Sequence, residues 1–163
     1  MTAWMTILVI ATLLGSALIG GVFFAFSSFI MNSLARLPAA EGIAAMQSIN
    51  VVVLNRWFLD VFIGTAVLSL VLVVIAVLNW GDAPAAWFLS GGTLYVVGTF
   101  LVTGMGNVPL NDRLAAVSAQ DASSAALWEH YLDRWTLLNT VRTVAAVAAA
   151  LCLTLGLIGG NHA

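Results

Sequence analysis

Trp128, Tyr131, Trp135, Asn139 and Arg142 recur at spacings of three, four, four and three, which puts all five on one face of a helix. Such a face combines flat aromatic surface, an amide and a permanent cation. These are the means to hold a planar ligand and to stabilise an anion. The aromatic members also fit an interfacial belt, where amphipathic rings settle at headgroup level. A belt does not account for Asn139 and Arg142, which lie one and two turns deeper. An ionised side chain in hydrocarbon costs at least ~2.5–3.5 kcal/mol. Arg142 therefore needs a partner, water, or a path to the interface along its own stem.

A second polar run, Asn107-Val-Pro-Leu-Asn-Asp-Arg113, approaches the same end of the molecule, as does Asn50. Asp60 lies at a depth similar to Arg142 and is its expected partner. Arg56, four residues before Asp60, can pair with it as well. These residues predict a polar pocket built from Asn50, Asn107, Asn111, Asn139, Arg142 and Asp60, with Tyr131 on the same face. Its expected walls are Phe23, Phe26, Trp57 and Trp135. A set of hydrogen bonds that ties helices together explains the same residues without any ligand.

Other chemistries lack the residues they need. The histidines are His130 and His162, and the one cysteine is Cys152, so neither a disulfide framework nor a cysteine metal cluster is expected. No HExxH, paired-carboxylate metal site or phosphate loop occurs. The expectation is no metal and no cofactor. A net charge of −2 offers no basic patch to nucleic acid.

The elements that carry these residues follow from the charge distribution. The chain is 62% hydrophobic and 7% charged, against roughly 25% charged for a soluble domain. No charge falls within 1–35, 61–81, 83–111 or 143–163. About 20 apolar residues cross a bilayer core, so four gaps make four spans, near 6–31, 57–79, 85–105 and 136–158. The fold class is all-α, an integral membrane four-helix bundle in a single domain, with a long connection between helices 3 and 4. The first span has no basic leader and is expected to stay in the protein. All five arginines lie in the two long connections or just inside span four, and there is no lysine. By the positive-inside rule those connections are cytoplasmic and both termini face out.

Within this frame, Ala11-xxx-Gly15, Ser16-xxx-Gly20 and Ala17-xxx-Gly21 in span one allow close helix contact. Pro38 opens a connecting helix with Glu41 in its first turn, and that helix is expected to run on into span two. Pro109 is expected to end span three, with Asn111 capping a short helix over Asp112–Ala119. Ser123 or Ser124 then caps a last helix of more than 30 residues.

The sequence resembles the anthrone oxygenase family of small four-span membrane proteins, formerly a domain of unknown function. The resemblance rests on Gly21-Val-Phe-Phe-Ala-Phe-Ser27, Met46-Gln-Ser-Ile-Asn50, Asn107-Val-Pro-Leu-Asn111 and Trp128-x-x-Tyr131-Leu-x-x-Trp135-x-x-x-Asn139-x-x-Arg142-Thr143, in that order. It implies cofactor-independent oxidation of a phenolic, lipophilic substrate by dioxygen, in a multi-pass protein of a bacterial-type inner or plasma membrane. Arg142 would stabilise the substrate anion, and Asn107, Asn111 and Asn139 would orient it as donors. Trp57 and Trp135 would stack on it, and Asp60 would orient Arg142 or act as base. Family members often carry His where this chain has Thr140, which removes a natural base. The competing reading is a non-catalytic protein that binds a lipid or quinone, or an accessory subunit. Transport would require a homo-oligomer, because four spans without an inverted repeat make a poor transporter monomer.

Overall fold

In hydrocarbon only a helix satisfies every backbone N–H and C=O within its own segment, and the apolar runs of this chain all wind into helices. The computed structural model describes residues 1–160; His162 lies outside the described residues. Five helices follow in order: α1 Ala3–Leu34, α2 Ala39–Val52, α3 Arg56–Leu78, α4 Ala85–Ala115 and α5 Ser124–Gly160. All except α2 are long and apolar enough to cross a membrane, so the chain is an all-α, multi-pass membrane protein. In the bundle, α1 packs on α3 and α5, and α4 packs on the same two helices.

Small residues set the spacing between helices. A methyl group added at Gly98 of α4 would sit 2.5 Å from the Ala145 Cβ of α5, and one at Gly92 would sit 2.6 Å from the Ser69 carbonyl of α3. Backbones approach this closely where packing replaces a hydrophobic driving force.

Two helix boundaries differ from expectation. α2 does not continue into span two, because the chain breaks at Val53–Asn55. Asn55 takes an extended backbone and its Oδ1 accepts from the Phe58 N–H at 3.1 Å, capping α3 afresh. Pro109 does not end span three either. α4 contains two widened π segments, Leu94–Leu101 and Thr103–Asn107, the second closed by Val108 N–H on the Thr103 carbonyl. Pro109 follows at the start of the closing α segment Val108–Ala115, where a missing N–H is tolerated. Asn111 therefore lies inside a helix and is no cap. A further π segment, Phe26–Ile30, interrupts α1. The last helix has 37 residues, and the Ser124 hydroxyl donates back to the Ser118 carbonyl at 2.9 Å.

One end of the bundle carries a cap. Ile43 and Met46 of α2 pack with Leu114, Trp128, Tyr131 and Trp135 over Met31 and Leu34. Gln47 fastens it by donating to the Leu114 and Val117 carbonyls at 2.8 and 3.0 Å. Exposed tryptophans bracket α3: Trp57 at the cap end and Trp80 at the other, joined there by Trp4 and Trp87. Amphipathic rings take these positions at membrane edges.

Candidate functional site

Arg142 is 3% exposed and Asn139 is fully buried, both inside the bundle just beneath the cap. Arg142 donates from Nη2 to Asn139 Oδ1 at 2.6 Å and from Nη1 to Thr103 Oγ1 at 3.1 Å. Its guanidinium lies 4.0 Å from the Phe23 ring centroid and 5.2 Å from that of Trp135. Contacts of this kind attract a desolvated cation by about 2 kcal/mol. Phe23 in turn meets Phe62 edge-on at 6.3 Å. Phe62 is five residues into α3 from Trp57, or ~7–8 Å along the helix.

Hydrogen bonds run outward from Arg142 in two branches. In the first, Asn139 Nδ2 donates at 2.7 Å to both the Phe23 carbonyl and Ser27 Oγ. Ser27 and Thr140 hydroxyls are 2.9 Å apart, and Thr140 donates to the Thr136 carbonyl at 2.9 Å. Ser27 is thereby the donor in the Ser27–Thr140 pair. In the second branch Thr103 Oγ1 donates to the Thr99 carbonyl at 2.7 Å. Every oxygen nearest the cation turns a lone pair toward it. The charge is solvated by oriented dipoles in place of a counter-ion.

A second layer lies between this one and the cap. Asn111 Oδ1 accepts from Tyr131 Oη and from Trp135 Nε1, both at 2.8 Å. Asn50 Nδ2 reaches Tyr131 Oη at 3.4 Å. Asn107 Nδ2 donates to the Trp135 carbonyl at 3.2 Å. Trp135 joins the layers, with its indole N–H in the upper one and its ring facing Arg142. Phe26 packs on the same indole at 5.5 Å.

Asn50, Asn107, Asn111, Tyr131, Trp135, Asn139 and Arg142 thus come together as two stacked layers at one end of the bundle. Asp60 does not join them. It pairs with Arg56 at 3.1 Å on the outside of α3, with side chains 65% and 91% exposed, and this is the one ion pair among the described residues. Trp57 is 88% exposed and walls nothing. The residue that turns inward is its neighbour Phe58, stacked on Phe62 at 5.7 Å. Asn107 also differs from expectation, since its donor is spent on the Trp135 carbonyl and its oxygen is the free group. Thr99, Thr103 and Ser27 were not anticipated. Ser27 ends one of the motifs singled out in the sequence, and Thr99, Thr103, Asn107 and Asn111 recur every four residues.

Arg142 Nε and Asn107 Oδ1 are buried without a hydrogen-bond partner. Among the described residues, no three His, Cys, Asp or Glu side chains gather as metal ligands, and His130 is exposed. The chemistry these side chains offer is anion binding between aromatic rings.

Compared with known families, the chain matches the family model described as "Anthrone oxygenase" over residues 54–152. That stretch includes α3, α4 and the part of α5 that bears both polar layers. No curated protein and no solved structure matches the chain.

Proposed function

The chain belongs to the anthrone oxygenase family, and from that premise we propose that it oxidises a phenolic, membrane-partitioning substrate with dioxygen. The observation that carries the reading is Arg142, a buried cation with no carboxylate partner among the described residues, held against two aromatic rings. A site of this kind favours the ionised form of a flat phenol over the neutral one. An anthrone anion is electron-rich enough to reduce dioxygen directly. In the overall reaction the ring CH2 loses both hydrogens and gains one oxygen atom as C=O, while the second oxygen atom leaves as water. The protein's tasks are to hold the anion, orient it and exclude water from it.

Arg142 serves as anion stabiliser, Asn139 and Thr103 fix its guanidinium, and Trp135 and Phe23 supply ring contacts. Asn111 and Tyr131 hold Trp135 in place. The five arginines at the cap end of the chain support a cytoplasmic cap, with both termini outside a bacterial-type membrane. The rival reading is a non-catalytic binder of lipid or quinone, or an accessory subunit, in which the same bonds only join helices. It draws on the fact that Arg142 itself bridges α5 to α4, and Asn139 bridges α5 to α1.

The test is anthrone consumption against oxygen uptake by purified protein in the presence of chelator. One oxygen molecule per anthrone, at a rate well above empty membranes, is expected. Arg142→Ala should abolish turnover while the protein still folds. Equal rates with and without protein would sink the enzymatic reading, and loss of fold in Arg142→Ala would favour the structural one.

A further inference from the structure

The buried polar layers are rich in donors and short of free acceptors. Asn139 Oδ1 and Thr103 Oγ1 are taken by Arg142, Asn111 Oδ1 by Tyr131 and Trp135, and Ser27 Oγ by Asn139. The exception is Asn107 Oδ1, on a residue 1% exposed, which accepts nothing. Its direction is fixed by the other arm of the amide. Nδ2 donates to the Trp135 carbonyl, and a flipped amide would set two oxygens against each other. The matching orphan donor is Arg142 Nε. Thr103, one turn from Asn107 on α4, accepts from Nη1 of that same guanidinium, so α5 sets the group that carries the orphan donor against the turn next to the orphan acceptor. A buried acceptor left unpaired is costly, and an O–H or N–H of a ligand removes the cost.

We infer that Asn107 is a specificity-determining residue whose side-chain oxygen accepts a hydrogen bond from a hydroxyl of the bound ligand, beside the oxyanion held by Arg142. The ligand class is a phenolate that carries a second, un-ionised hydroxyl. The inference rests on reading the Arg142 layer as a phenol site, and it does not depend on turnover. Asn107 discriminates because a second hydroxyl satisfies its buried amide oxygen, whereas a ligand without one leaves that oxygen as unpaired as before.

Binding measurements on purified protein test this with 2-naphthol and the dihydroxynaphthalenes that carry a second hydroxyl at each other ring position. At least one isomer should bind the wild type about tenfold more tightly than 2-naphthol, and Asn107→Leu should reduce that advantage to less than twofold. A ratio that persists in Asn107→Leu overturns the inference and leaves Asn107 as a tie to the Trp135 carbonyl. Should Asn107→Leu not fold, the side-chain carbonyl stretch of isotope-labelled asparagine in the wild type decides. It should shift when the favoured isomer binds and not when 2-naphthol binds; an unmoved band overturns the inference. Wild type that binds 2-naphthol and every isomer equally defeats the inference alone. Wild type that binds none defeats the phenol-site reading with it.

Discussion

Arg142 has two hydrogen-bonded partners of unequal replaceability. Asn139 is fixed by two further bonds to α1, whereas Thr103 meets the guanidinium through one hydroxyl. Thr103→Val preserves shape and removes that acceptor, leaving a buried cationic donor unpaired. We expect a loss of about 1–3 kcal/mol in unfolding free energy, read by denaturant titration in detergent, with weaker phenol binding. Asp60→Asn and Trp57→Ala are the opposite case. Both side chains face outward, so phenol affinity and turnover should stay within about twofold of wild type, and a tenfold change in either would place these residues back in the site. Asn139 and Arg142 were legible because amide and guanidinium groups deep in an apolar run need a reason to be there. Thr103 and Ser27 were not, because a hydroxyl in a helix can bond its own backbone four residues back and so carries no visible cost. Trp57 was misread through helical phase. The break capped by Asn55 separates α2 from α3, and it is Phe58 that turns inward.

At the level of the helices, α4 presents Thr99, Thr103, Asn107 and Asn111 to α5 in register with Arg142, Trp135 and Tyr131. In a regular α-helix, steps of four residues drift by about 40° each, because a turn holds 3.6. Three steps would carry Asn111 roughly 120° away from Thr99. The π segments at Leu94–Leu101 and Thr103–Asn107 take an extra residue into the turn, which offsets the drift and keeps the ladder on one face. The four-residue repeat is visible in the sequence, but α geometry disperses it and Pro109 reads as a stop. This was the part of the site the sequence hid. Gly104 lies in the second π segment, exposed, with open space where a Cβ would go. Gly104→Ala should therefore be silent. Insertion of one alanine after Gly104 adds about 100° of rotation, which should swing Asn107 and Asn111 away from α5 and abolish phenol binding. Retained binding in the insertion variant would show that the register is not what holds the site. Gly98→Val should act on the same contact by driving its side chain into Ala145, with a melting temperature several degrees lower.

For the whole molecule, four spans were readable from charge-free lengths alone, because hydrocarbon permits few alternatives. The cap was less so. Ile43 and Met46 had helical spacing, but only the fold brings them over Trp128, with Gly42 so close that an added methyl would meet the indole at 2.8 Å. The arginine distribution predicts that a reporter fused to either terminus faces outside, and a reporter in the α4–α5 connection faces the cytoplasm; the reverse pattern would invert the site. Proton movement is constrained as well. Both branches of hydrogen bonds that leave Arg142 end on backbone carbonyls, those of Thr136 and Thr99, and the first passes through an amide. Neither backbone carbonyls nor an amide relay a proton onward at ordinary pH. A phenol that ionised inside would have no exit for its proton along these branches, so on the proposed reading ionisation is expected at the membrane surface, before the anion descends. Turnover should then rise with pH through the acidity of the substrate rather than of any protein group. A more acidic phenol should shift the whole profile to lower pH by the difference in the two phenols' own pKa values, and a profile that ignores the substrate would point to a base within the protein.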